Sequence, residues 1–188
     1  IVFAQICLGP AWIHLLSSSA VCYALIALAP TAIMPLLVFV VALAFMTMAH
    51  IHRMVSPDPL LDYSSAQMIL TIRLTGAAFA VADGRRMRLS KGPYSPPEGL
   101  SASRAAMLRE RAANALVGTP DPLTFFAFIF FFGSFLVGPA FNIHEYRAAT
   151  APGARRPSPG IVPWRRAAFA FFCLAVHLAL RARFSPEL

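Results

Sequence analysis

The chain has 188 residues, 58% of them hydrophobic and only 13% charged, and its 16 Lys and Arg against 8 Asp and Glu give a net charge of +8. A soluble domain spends about a quarter of its residues on charge, so this composition excludes an ordinary cytosolic globule, a disordered segment and a disulfide scaffold. The basic balance does not read as nucleic-acid binding: no Asp, Glu, Lys or Arg precedes Arg53, and the basic residues then gather between apolar runs, as juxtamembrane arginines do beside anionic headgroups.

Pro10 and Pro30 bracket the uncharged stretch Ala11 to Ala29, about 28 Å if helical and so close to the ~30 Å hydrocarbon core of a bilayer. Residues 1–9 look like the end of another apolar segment. Thr31 to His52 follows, with Pro35 in its first turn and His50, His52 and Arg53 at its close, where cations suit both a helix C-terminus and a membrane edge. Two residues apart, His50 and His52 point to different sides of a helix and cannot share a metal there.

The cluster Ser56-Pro57-Asp58-Pro59 is a turn. Ser64 followed by Gln67 opens the next helix, predicted to run to about Ala82 and to stop at Asp83-Gly84. Thr71, Thr75, Ala78 and Ala82 share one face, small enough to let a second helix pack closely. Arg73 lies mid-helix, a costly position for a charge in a membrane unless it meets a partner, meets a wet cavity or belongs to a tilted helix.

Residues 85–120 form a polar loop of net charge +5. Its second half places Ala105, Leu108, Ala112, Ala115 and Leu116 on one face bordered by arginines, the pattern of an amphipathic helix on a membrane surface. Pro122 to Phe141 is apolar, with seven phenylalanines between Phe125 and Phe135, and Gly138-Pro139 is expected to bend or end its helix. The loop 142–166 is rich in Pro and Arg. Trp164-Arg165-Arg166 then anchors a last apolar segment, Ala167 to Leu180, which is short for a crossing. The basic loops flank the same segment, which leaves orientation open. Cys7, Cys22 and Cys173 all lie inside apolar runs and lack the paired spacings of metal or redox sites, so they read as buried small hydrophobes.

These elements predict an all-α, polytopic transmembrane bundle of four to six membrane segments plus a short interfacial helix, residues 1–188 forming part of one domain. A start at Ile1 without a charged leader and a stop at Leu188 just after an apolar run give the expectation of an internal piece of a longer protein. Nucleotide-binding, zinc-protease, nucleophile-elbow and Cys-x-x-Cys motifs are absent from the sequence.

The order and wording of particular segments say more. Gln67-Met68-Ile69-Leu70-Thr71-Ile72-Arg73-Leu74-Thr75, Phe79 and Asp83-Gly84 are followed by Phe130-Phe131-Phe132-Gly133-Ser134-Phe135-Leu136-Val137-Gly138-Pro139-Ala140-Phe141 and Tyr146. Together they resemble the membrane-bound O-acyltransferase family, and within it the lysophospholipid acyltransferases. The tail, Leu174 to Leu178 and Phe184-Ser185-Pro186-Glu187, is similar to the segment that follows in that branch. The resemblance covers residues 62–147 most closely.

That resemblance implies an enzyme integral to the endoplasmic reticulum membrane that moves a fatty acyl group from acyl-coenzyme A to the free hydroxyl of a lysophospholipid. It implies no cofactor beyond acyl-coenzyme A as co-substrate, the bilayer and both lipids as partners, and no metal. The family's general-base histidine and its asparagine lie downstream of this chain, which therefore carries no catalytic residue. His177 sits mid-way through an apolar helix, but its surroundings match the Ala-Val-His-Leu segment and not the catalytic one. Arg73, Pro139, Asn142 and Tyr146 are the expected substrate-binding residues, the last three around an irregular turn bordering the cavity. Asn142 stands where relatives often carry an acidic residue, which bears on headgroup preference. The alternative is a piece of a polytopic transporter or channel, since Arg73 and the Gly138-Pro139 break also suit a substrate pathway.

Overall fold

A computed structural model describes residues 6, 8–55, 63–89, 101–135, 140–151, 153 and 161–184, and all the regular elements among them are helical. Pro10 sits in a 3₁₀ turn, Gly9–Ala11, that leads into α1 (Trp12–Leu28). α2 (Met34–Val55) carries Pro35 in its first turn and His52 and Arg53 in its last, as expected. α3 covers Ser64–Leu89. The segments Gly9–Leu28, Met34–Val55 and Ser64–Arg88 are long and apolar enough to cross a membrane.

α1 buries Leu15, Cys22 and Ile26, and α2 buries Met34, Val38, Ala42 and Ala49, a single stripe at helical spacing on each. Their remaining faces expose Ile13, Leu28, Leu36, Val40 and Met48, which water would penalise and lipid accepts. α3 is the central element, packed most extensively on α2 and also on α1. It buries Leu70, Leu74, Ala77, Ala78, Val81 and Ala82. The small face expected on it is used: Thr71, Ala78 and Ala82 are buried, and Thr71 Oγ1 reaches the Ala42 carbonyl of α2 at 3.5 Å. Gln67 turns toward α1, where its Oε1 accepts from Ser18 Oγ at 3.4 Å.

α3 does not stop at Asp83-Gly84; it continues to Leu89. Gly84 lacks the positive φ that a helix-ending glycine adopts. It is instead a point of close approach: a Cβ there would lie 1.7 Å from the Leu116 carbonyl oxygen, and Leu116 N–H donates to the Ala80 carbonyl at 2.9 Å. The glycine admits a neighbouring backbone rather than ending the helix.

α4 (Ala102–Ala113) is the amphipathic helix expected in the polar loop; it packs on α3, and its predicted apolar face is the shielded one, with Ala105, Leu108 and Ala112 partly covered and Leu116 buried just beyond it. The chain turns at Gly118, φ +95°, a conformation that favours glycine. Asp121 then caps α5 by accepting from Thr124 N–H at 3.2 Å, with Pro122 in the first turn.

The apolar run from Pro122 does not form one long helix. α5 covers only Pro122–Ile129, about 12 Å of axis and too short to cross a membrane alone. A 3₁₀ turn, Phe132–Ser134, follows. The helix thus breaks at Phe130, well before Gly138-Pro139, which falls outside the described residues. α6 (Ile143–Thr150) closes this unit, which spans residues 1–150. Residues 151–188 form a second unit, containing α7 (Ile161–Phe184).

Candidate functional site

Arg73 binds at the early break in the phenylalanine run. The residue is 2% exposed, and its guanidinium donates to the carbonyls of Phe128 at 3.2 Å, Ile129 at 2.9 Å and Ser134 at 3.0 Å, and to Ser134 Oγ. The Phe128 and Ile129 carbonyls belong to the last turn of α5, where four C=O groups lack helical partners and the helix dipole is negative. The rings of Phe141 and Phe128 lie over the guanidinium, with centroids 4.8 and 5.8 Å away. Of the three environments that could hold a mid-helix arginine, the structure uses a protein partner: helix-end carbonyls and aromatic faces, with no carboxylate among the described residues. Arg73 Nε is buried without a hydrogen-bond partner among those residues.

Arg85 repeats the device at the polar end of α3. It donates to the carbonyls of Ile26 at 2.7 Å and Ala29 at 3.5 Å, at the C-terminus of α1, and to Thr119 Oγ1 at 2.8 Å. One helix thus fixes the ends of two others through arginines. Asp83, a stop signal by sequence, pairs side-on with Arg111 of α4: Nε to Oδ2 is 3.0 Å and Nη2 to Oδ1 is 2.7 Å. Arg86 adds a longer contact of 3.9 Å. The Arg85–Thr119 and Asp83–Arg111 pairings join residues 28 or more positions apart, beyond the reach of local spacing.

Two adjoining cavities border this scaffold. The larger, about 450 Å³, is lined by Gly76, Phe79 and Asp83 of α3, Met107, Glu110 and Arg111 of α4, and also Asn114, Asn142 and Ile143. The smaller, about 120 Å³, is lined by Ile72, Arg73, Gly76, Phe128, Phe141 and Asn142 among others. Gly76, Asn142 and Ile143 line both.

The structure therefore brings together two of the expected binding residues, Arg73 and Asn142, on the wall of one cavity. Asn142 directly precedes α6; its carbonyl accepts from Tyr146 N–H at 3.1 Å, and its N–H donates to Glu145 Oε2 at 3.0 Å, the return half of a capping box. Tyr146 stands behind the cavity wall, its ring 5.9 Å from Phe128, 5.7 Å from Phe131 and 6.4 Å from Phe141, so it supports the aromatic cover over Arg73. Pro139 lies outside the described residues. Gly76 and the Asp83–Arg111 pair are not anticipated by the sequence reading. The alignment of Ile72, Gly76, Phe79, Ala80 and Asp83 on one helical face is the signal that could have found them.

Of the histidines, His14 is engaged structurally: Nε2 lies 3.3 Å from the Phe45 carbonyl, and the ring meets Phe45 and Tyr63 edge-on at 5.2 Å each. His177 lies on α7, in the second unit. No three His, Cys, Asp or Glu side chains gather at metal-binding distance among the described residues.

No protein-family model matches the chain, and no solved structure does. Two curated proteins do. The chain is 32% identical over 113 residues to a protein of Schizosaccharomyces pombe named lysophospholipid acyltransferase, an alignment covering 60% of this chain and 19% of that protein. It is 24% identical over 148 residues to lysophospholipid acyltransferase 6 of Drosophila melanogaster, covering 78% of this chain and 18% of that one. The chain spans about a fifth of the length of the relatives it matches. Both relatives carry the name of the acyltransferase branch that the chain's segments resemble.

Proposed function

We propose that this chain is a segment of a membrane-embedded lysophospholipid acyltransferase, active in phospholipid remodelling in the endoplasmic reticulum, and that its acyl donor is acyl-coenzyme A. The observation that carries the reading is the identity shared with two proteins named for that activity, in a chain that has, among the described residues, three helices long and apolar enough for a bilayer. In the reaction the lysophospholipid hydroxyl oxygen attacks the thioester carbonyl, an ester forms, the C–S bond breaks, and the hydroxyl proton passes by way of a base to the departing thiolate. The contribution of this chain is positional. Arg73 and the Asp83–Arg111 pair hold α5 and α4 to α3 beside a cleft that α6 also borders, and a substrate fixed there is presented to catalytic groups without the entropic penalty of a free encounter.

The test is acyl transfer by membranes containing the full-length protein, supplied with labelled acyl-coenzyme A and a panel of lysophospholipids. Labelled diacyl phospholipid is the expected product. Failure with every acceptor, while the protein remains membrane-integral and folded, overturns the reading.

A further inference from the structure

Ile72, Gly76, Phe79, Ala80 and Asp83 form one edge of α3, and all five line the two adjoining cavities. From Ile72 to Asp83 this edge extends about 16 Å along the helix axis, roughly half of a ~30 Å hydrocarbon core. Its two ends differ. At the outer end, near Arg85, Arg86 and Arg88, the wall carries Asp83, Glu110, Arg111 and Asn114; at the inner end it carries Ile72, Ala77, Phe128 and Phe141, with the rings lying over the Arg73 charge. A polar mouth and a mainly apolar trough, with Asn142 on the wall of both and Arg73 beneath the rings, match the length of one single-chain lipid.

Gly76 sits where the two cavities meet. A Cβ there would find nothing within 4 Å, in contrast to Gly84, where protein backbone fills the space. The missing side chain at Gly76 serves no packing contact, costs helix stability and leaves the trough open. Charge selects among occupants. In the larger cavity Arg111 pairs with Asp83 at 2.7 and 3.0 Å, so its charged lining leaves the Glu110 carboxylate, and Phe79, 46% exposed, lines the same cavity; Arg73 lines only the smaller cavity, where its guanidinium donates to the carbonyls of Phe128, Ile129 and Ser134. A carboxylate and an aromatic ring suit an ammonium group and disfavour the several negative charges of coenzyme A.

We infer that this groove binds a zwitterionic lysophospholipid, its headgroup at Glu110 and Asn114 and its chain lying across Gly76 toward Phe128 and Phe141. The inference rests on the acyltransferase reading for the identity of the lipid, and it makes Gly76 the residue that governs entry of the acyl chain.

The experiment uses the full-length protein in detergent-lipid micelles and a lysophosphatidylcholine with a photoreactive diazirine midway along its chain. Adducts are expected on peptides containing Ile72 to Ala80 or Phe141. Gly76→Leu reduces them by about tenfold, the effect of losing about 1.4 kcal/mol of binding. Met107→Trp, which fills the opposite wall from an exposed position and leaves the core alone, reduces them similarly. Unlabelled lysophosphatidylcholine displaces the probe; palmitoyl-coenzyme A at equal concentration does not. Glu110→Gln weakens capture of the choline probe several-fold. Adducts that survive both groove-filling variants, or that acyl-coenzyme A displaces preferentially, overturn the inference even when acyl transfer is intact. Adducts with this pattern in a protein that transfers no acyl group uphold the groove and overturn the enzymatic reading.

Discussion

Replacing Gly84 by alanine separates two accounts of the same dipeptide. In an ordinary helix interior, Gly→Ala gains about 1 kcal/mol from backbone entropy and shielding. Here the new Cβ would lie 1.7 Å from the Leu116 oxygen and 2.4 Å from its carbonyl carbon, so restoring an ordinary 3.4 Å contact moves that backbone by about 1.7 Å. Such a shift breaks the 2.9 Å bond from Leu116 N–H to the Ala80 carbonyl, about 1–3 kcal/mol when the donor stays buried. It also draws Leu116, 4% exposed, partly out of its site, at a cost of about 1–2 kcal/mol, and strains the adjoining Arg85 to Thr119 contact of 2.8 Å. The net expectation is a loss of about 1–4 kcal/mol. The assay is the melting temperature of detergent-solubilised protein, followed by fluorescence-detected gel filtration, with Gly76→Ala alongside. Gly76 meets no atom within 4 Å, so that variant holds or gains stability. If Gly84→Ala melts at or above the wild-type temperature, the close approach to Leu116 is not what fixes the loop onto α3.

Arg73→Met strands the carbonyls of Phe128, Ile129 and Ser134 and should lower stability by about 3–5 kcal/mol, read in the same melt; Arg73→Lys recovers only part of this, because an ammonium cannot serve three acceptors in a fixed plane. The Asp83–Arg111 pair, with Arg111 40% exposed, is worth about 0.5–1 kcal/mol, measured by a double-mutant cycle with Asp83→Asn and Arg111→Gln and diminished by added salt. In the full-length protein Asn142→Ala should change the ratio of kcat/KM among lysophospholipid headgroups without changing abundance. Tyr146→Phe keeps the ring that packs on Phe128 and Phe131 and leaves the melting temperature within about 1 °C, whereas Tyr146→Ala lowers stability by about 2 kcal/mol. The 188-residue chain expressed alone should insert into membranes, resist alkaline carbonate extraction and transfer no acyl group above background.

α1, α2 and α3 are legible in the sequence because an apolar stretch near 20 residues has few other uses, and prolines at 10, 30 and 35 mark where helices start and stop. The helix α4 is legible from its charged borders. Arg73 stands out as anomalous, but its solution does not, because helix-end carbonyls as partners depend on where α5 ends, and the phenylalanine run does not mark that end. Asp83-Gly84 misleads for a related reason: acidic residue plus glycine is a local stop signal, while the tertiary approach of Leu116 and the pairing with Arg111 are non-local and override it. The phenylalanine run offers no period to divide it. Only the packing distinguishes buried Phe125, Phe128 and Phe135 from exposed Phe132. Asn142 is found through family resemblance rather than spacing, and Gly76 is passed over because an empty side-chain position leaves no mark in a sequence.

The central claim is tested most directly by the stoichiometry of the reaction in purified full-length protein, with free thiol released from acyl-coenzyme A and new ester formed on the lysophospholipid measured in the same samples. Acyl transfer predicts one thiol released per ester formed, with both rates dependent on the acceptor. Thiol release without ester, or neither product from a folded protein, contradicts the account.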